Sequence, residues 1–153
     1  MYKRQVVTNN IEIAEQVPNF IMTGEADNGT ERCALAIKDL DHNQFVNVQG
    51  DMPEEKQNDP HTVKMIRAAD QALWFGRGMT GYGDWHLGIY AYKRNPLELY
   101  HSLEVTQEER VEKLEQLRWL KGSWQIGCLH TEFDGIEINT PEELEEWNSR
   151  ANT

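Results

Sequence analysis

The sequence predicts an α/β fold, a mixed and mainly parallel sheet with flanking helices, in a single domain over residues 1–153. Three observations predict it. Short apolar runs alternate with helix-like segments through the first third, the pattern of strand–helix–strand units. Clusters of Gly, Pro, Asn and Asp punctuate those runs as turns. Two segments near the end open with capping sequences that start helices. The length fits one domain, since most domains run about 100–200 residues.

Taken in order, Gln5-Val6-Val7 reads as a strand, and Thr8-Asn9-Asn10 as a capping cluster. Ile11 to Val17 then fits a short helix closed by Pro18, and Phe20-Ile21-Met22 a second strand. After the loop from Gly24 to Gly29, Arg32 to Leu40 has helical spacing, with Cys33, Ala36, Ile37 and Leu40 on one face. Gln44 to Val48 is the next strand, stopped by Gly50-Asp51-Met52-Pro53, and Met52 to Pro60 is a polar loop. Val63 to Arg67 and Ala72 to Phe75 flank a turn at Ala69-Asp70-Gln71, which predicts a hairpin. Gly76, Gly78, Gly81 and Gly83 mark a loop, and His86 to Tyr92 reads as one aromatic-rich strand.

Thr106-Gln107-Glu108-Glu109 is a capping box, in which the hydroxyl and the carboxylate take up free backbone N–H groups. One helix follows, with Val111, Leu114, Leu117 and Leu120 facing the core and Gly122 ending it. Trp124 to Leu129 and Ile136 to Ile138 read as strands, and Thr140-Pro141-Glu142-Glu143 opens a last helix.

Composition narrows the function. A net charge of −11 argues against general nucleic-acid binding, which needs clustered Lys and Arg. The run Glu142, Glu143, Glu145, Glu146 reads as a solvated helix face. No stretch approaches the roughly 18 apolar residues of a membrane span. No apolar segment follows the basic start, so a cytosolic protein is expected. Cys33 and Cys128 lack ligand-like spacing and read as reduced, buried thiols.

Candidate chemistry sits at a few places, each with a plain structural alternative. Asp51 follows a strand, where ligands of α/β sheets collect, and its carboxylate suits Mg²⁺; Gly-Asp there is equally a turn. Gly29, Thr30 and Arg32 open a helix whose N–H groups can meet an anion or a base edge; Arg32 could instead form a salt bridge. His86, Tyr90 and Tyr92 share a face on one strand and could hydrogen-bond a sugar, with Arg77 gripping a carboxylate. Aromatic residues on a strand more often belong to the core. Glu115 and Gln116 on the later helix pose the same choice, with solvent exposure as the default.

The order of these segments carries more than any one of them. "MTGEADNGTERCALA", "VNVQGDMP", "NDPHTVKMI", "ALWFGRG", "HLGIYAYK", "EKLEQLRWL" and "EINTPEELE" resemble, in sequence, the successive motifs of the 3-deoxy-manno-octulosonate cytidylyltransferase family. The resemblance covers most of Val6 to Trp147. It implies a dimeric cytosolic enzyme that couples 3-deoxy-D-manno-octulosonate to CMP from CTP with Mg²⁺, releasing pyrophosphate for lipopolysaccharide synthesis. By the resemblance, Asp51 is the catalytic metal ligand, and Gly29, Thr30, Arg32 and Gln49 meet the nucleotide. Arg77, His86, Tyr90, Glu115 and Gln116 fall around the sugar acid. Asn139 stands where the family has a second metal aspartate; its carbonyl can still ligate Mg²⁺ but brings no charge.

Two departures accompany the match. The family's opening strand and basic triphosphate loop have no counterpart before Val6, and the stretch from Asp51 to Asn58 is too short for a helix and strand the family places there. The chain therefore reads as truncated and internally shortened, with Met1 to Gln5 resembling a translated sequencing adaptor. Weak or absent turnover is expected of it. A sialate-type or other sugar nucleotidyltransferase, and a non-catalytic dimerisation module, are the alternatives.

Overall fold

Backbone pairing in this chain begins with a crossover that only a parallel pair of strands requires. The computed structural model describes residues 4–48 and 60–132, which fall into two compact units. The first comprises Met1–Gln49 and Ile89–Val105, the second Gly50–Gly88 and Thr106–Thr153.

In the first unit, β1 (Val6–Thr8) runs parallel to β2 (Phe20–Met22), with Val6 opposite Phe20 and Thr8 opposite Met22. Between them lies α1 (Ile11–Ala14), capped as expected by Asn10, whose Oδ1 accepts from the Glu12 N–H at 2.7 Å. The helix stops short of Val17. The N–H groups of Gln16 and Val17 reach back only three residues, to the carbonyls of Ile13 and Ala14. Pro18 disfavours helical geometry in the residue before it, so the last turn tightens and ends.

Helix α2 (Gly29–Ala36) starts three residues earlier than its apolar spacing indicates, because Asn28 caps it by accepting from the Glu31 N–H at 2.9 Å. A single 3-10 turn, Ile37–Asp39, follows. Strand β3 (Gln44–Val48) pairs antiparallel with β7 (Ile89–Lys93), setting Phe45 opposite Tyr92 and Asn47 opposite Tyr90. Ala34, Ile37 and Leu97 form the buried cluster, with Cys33, Phe45 and Tyr92 against it. The opposite face of the same strands carries Val46 and Val48, 69% and 61% exposed. Leu97 lies on α3 (Arg94–Leu99), a helix the sequence signals only through Pro96 in its first turn. Arg94 staples this unit: its guanidinium donates to the carbonyls of His42, Ile37 and Leu40 and to the Glu98 carboxylate.

The second unit is built on the predicted hairpin. Strands β4 (Lys64–Ala68) and β5 (Gln71–Gly76) pair antiparallel around Ala69-Asp70, with an irregularity between Ile66 and Arg67. Strand β6 (Asp84–Trp85) adds to the other edge of β4. Helices α4 (Gln107–Glu112) and α5 (Gln116–Lys121) replace the single helix expected from the leucine spacing. They part at Lys113, which takes the left-handed conformation with φ 56°. Ala72, Phe75, Leu114 and Leu117 form the core, flanked by Val63, Met65, Trp74, Leu120, Ile126 and Cys128. Val111, expected inside, is 71% exposed, because the apolar stripe does not continue across the break.

The capping box is half realised. Thr106 Oγ1 accepts from the Glu109 N–H at 3.2 Å, but the Glu109 carboxylate takes a bidentate bond from Arg118 at 2.8 and 2.5 Å, both side chains buried. Two charges leave water there, and paired fork geometry offsets the cost of desolvation. Trp124 to Leu129 is not a full strand: it meets β5 through one bridge, Gly127 to Gln71, flanked by bonds between Ala72 and Ile126 and between Cys128 and Asp70. Both cysteines are free thiols, though half-buried and not fully enclosed.

The α/β class holds. Among the described residues, however, β1–β2 is the parallel pair and β3–β7, β4–β5 and β4–β6 are antiparallel, so the expectation of a mainly parallel sheet does not extend to them. A two-residue connection such as Ala69-Asp70 can join only antiparallel neighbours. The expected strand at 136–138, the last helix and the acidic run lie outside the described residues.

Candidate active site

The first unit carries Gly29, Thr30, Arg32 and Tyr90. Gly29 is the first residue of α2, where the backbone N–H groups and the helix dipole favour a negative or electron-rich group. The loop before it is held onto the helix by Glu31. One carboxylate oxygen of Glu31 accepts from the Asp27 N–H at 2.6 Å, and the other lies 3.3 Å from His101 Nδ1. Thr30 is 1% exposed, and its Oγ1 lies 3.0 Å from the Tyr92 hydroxyl, so this threonine anchors α2 to β7. Arg32 donates to Thr23 Oγ1 at 3.0 Å, an uncharged acceptor, and among the described residues it forms no salt bridge of the kind weighed from sequence. That bond uses one of its five guanidinium N–H groups. Tyr90 and Tyr92 do share a face of β7, their rings stacked with centroids 5.9 Å apart.

Asn47 is not singled out by the sequence motifs. It faces the same side of the strand pair as Phe45, Tyr90 and Tyr92, and its Nδ2 is buried without a hydrogen-bond partner among the described residues. The signal was available: an amide at an inward position of a strand whose outward positions are Val46 and Val48 inverts the ordinary alternation.

The second unit carries Arg77, His86, Glu115 and Gln116. Arg77 donates from Nε to the His61 carbonyl at 3.1 Å and from Nη1 to the Glu112 carbonyl at the end of α4, and its own N–H meets the Glu112 carboxylate. Its fork therefore holds backbone carbonyls in this structure. His86 lies edge-on to Phe75, ring centroids 5.2 Å apart, and burial lowers its pKa from 6.5 to about 4. Its imidazole is neutral at pH 7, suited to hydrogen-bonding a hydroxyl and not to pairing with a carboxylate. Glu115 precedes α5, and Gln116, its first residue, is buried, contrary to the exposure expected as default.

His86 and Tyr90 do not share a strand. The segment 86–92 is interrupted at Gly88, whose φ of 65° bends the chain between β6 and β7 and assigns the two residues to different units. Gln49, Asp51 and Asn139 lie outside the described residues. Among the described residues no group of three or more His, Cys, Asp or Glu side chains could hold a metal ion. No helix among them is long and apolar enough to cross a membrane. The 360 Å³ concavity lined by Asn43, Gln44, Lys93, Arg94, Asn95 and Glu98 contains none of the predicted residues.

No family model matches the chain. Among characterised proteins it is 33% identical to the 3-deoxy-manno-octulosonate cytidylyltransferase of Chlorobium phaeobacteroides (strain BS1), across 92% of this chain and 76% of that one. The chain belongs to the 3-deoxy-manno-octulosonate cytidylyltransferase family. Another family member, the 8-amino-3,8-dideoxy-manno-octulosonate cytidylyltransferase of Shewanella pealeana (strain ATCC 700345 / ANG-SQ1), is 31% identical across 91% of this chain and 77% of its own. A solved structure of CMP:2-keto-3-deoxy-manno-octonic acid synthetase complexed with CTP superposes with a TM-score of 0.76 at 24% identity, over 92% of this chain and 75% of that one. The family resemblance read from the motif order is thus borne out, and the mixed α/β fold with it. The Chlorobium alignment runs over 190 residues, more than the 153 present here, so that relative carries residues with no counterpart in this chain.

Proposed function

We propose that the reaction of this chain's family is cytidylyl transfer to 3-deoxy-D-manno-octulosonate in the cytosol, taking CMP from CTP, releasing pyrophosphate and supplying lipopolysaccharide synthesis, and that this chain itself turns over weakly or not at all. The observation that carries the proposal is the 33% identity spread over 92% of the chain, which spans the glycine-opened helix and both tyrosine-bearing and histidine-bearing segments. In the reaction the sugar's anomeric oxygen attacks the α-phosphorus of CTP, the bond from that phosphorus to the α–β bridging oxygen breaks to release pyrophosphate, and the hydroxyl proton passes to solvent. Positioning and charge neutralisation do most of the work in such a transfer.

The residues divide the task. Gly29 and Thr30 offer the start of α2 to the nucleotide, and Arg32 supplies its remaining guanidinium donors. Neutral His86 and the Tyr90 hydroxyl hydrogen-bond the sugar, with Glu115 and Gln116. Arg77 meets the sugar's acid group by exchanging its bonds to the His61 and Glu112 carbonyls. Gln49 belongs to the nucleotide set, and Asp51 with Asn139 to Mg²⁺, which offsets phosphate charge when bound. The active form is a homodimer. Calorimetric titration with CTP and Mg²⁺ tests the nucleotide assignment separately from turnover. Micromolar binding that weakens about tenfold or more in Arg32→Ala is expected; absence of CTP binding sinks the assignment for this chain.

A second sugar competes. The Shewanella pealeana relative, named for the 8-amino-3,8-dideoxy sugar, is nearly as similar as the Chlorobium one, 31% against 33%. Pyrophosphate release measured with both sugar acids decides between them.

A further inference from the structure

Lys64 stands apart from every assignment above. It sits on β4 of the second unit, opposite Gly76 on one side and Trp85 on the other, and is 1% exposed. Its ammonium donates to the Met79 carbonyl at 2.5 Å, and no carboxylate pairs with it among the described residues. An ammonium has three N–H donors and loses much hydration energy on burial, so buried charges are normally paired. A carbonyl dipole compensates only part of that loss. If Lys64 were a tether alone, an uncharged donor would hold Met79 at lower cost.

The segment beside Lys64 is rich in glycine. The segment after Arg77 carries Gly78, Gly81 and Gly83, all with φ between 75° and 84°. Gly78 and Gly81 have no atom within 4 Å of where a Cβ would sit, whereas at Gly83 a Cβ would lie 3.2 Å from the Lys64 Cβ. The strap is thus close against the lysine stem at one end and uncrowded at two glycine positions before it. Met79 is its buried anchor.

We propose that Lys64 is the seat of a ligand oxyanion, carboxylate or phosphoryl, with residues 77–83 as a strap that the ammonium holds shut through Met79 until the anion replaces that carbonyl. The inference rests on the sugar-acid and nucleotide chemistry proposed above and adds to Arg77 a second cation for its anionic groups.

Titration of the full chain with 3-deoxy-D-manno-octulosonate and, separately, inorganic pyrophosphate tests it, in the wild type and in Lys64→Met. The variant keeps the apolar stem and removes the buried charge. One probe is expected to bind about 30-fold or more weaker to the variant: loss for the sugar acid alone assigns a carboxylate, loss for pyrophosphate alone a phosphoryl group. Equal affinities in both proteins, or no binding of either probe to the wild type, overturn the inference. CTP binding to the wild type is the separate control for the family reading. If Lys64→Met does not fold, reductive methylation of the wild type followed by mass spectrometry replaces it. Modification at Lys64 is then expected to slow as the binding anion saturates, and a rate unchanged by either anion counts against the seat.

Discussion

At the scale of single residues, burial decides what a side chain can do, and His86 shows it most directly. Its folded pKa, about 4, lies below the unfolded value of 6.5 because desolvation penalises the charged ring. Between those values the unfolded chain binds a proton that the folded chain does not. Stability from this group is therefore complete above pH 6.5 and declines as pH falls toward 4, by up to about 3 kcal/mol. Urea unfolding from pH 7.5 down to 4.5 is expected to show a steeper loss in the wild type than in His86→Leu. Parallel curves would mean that the imidazole is not held neutral by its surroundings. Motif order only nominates this histidine as a sugar contact; it cannot give its charge state, which depends on Phe75 and the burial around it.

At the scale of elements, local signals were readable wherever chemistry enforces them and misleading where one dihedral angle decides. The caps read at Asn10 and Thr106 both form, because a side-chain oxygen at that position meets a free N–H whatever the tertiary context; the Asn28 cap follows the same rule and went unread. The hairpin at Ala69-Asp70 also forms, although its first turn residue is a non-glycine with φ 52°. The same kind of angle at Gly88 and Lys113 divides the predicted strand and the predicted helix. In the sequence the hydrophobic spacing runs on through both positions, although the folded stripe does not, so periodicity could not reveal the breaks. Holding alanine in the left-handed region costs energy that glycine does not pay. Ala69→Gly is accordingly expected to raise stability by up to about 1 kcal/mol, read as a higher urea midpoint at unchanged slope. A lower midpoint would show that the turn depends on the alanine methyl.

For the whole molecule, the sequence was legible as a family through motif order, yet not as an arrangement of cores. Ala34, Ile37 and Leu97 close one cluster, and Ala72, Phe75, Leu114 and Leu117 close another, within units whose chain segments interleave. Contiguous sequence hides this, because Gly88 to Ile89 and Val105 to Thr106 are each a passage from one unit to the other. Leu97 and Leu117 are both 0% exposed, so truncating either to alanine is expected to cost about 2–5 kcal/mol. Hydrogen exchange resolves where that cost falls. Leu97→Ala should speed exchange of amides in β3 and β7 while β4 and β5 keep their wild-type protection, and Leu117→Ala should do the reverse. If either substitution accelerated exchange equally in both sets of strands, the clusters would be parts of one cooperative core, and each candidate residue's stability would depend on both.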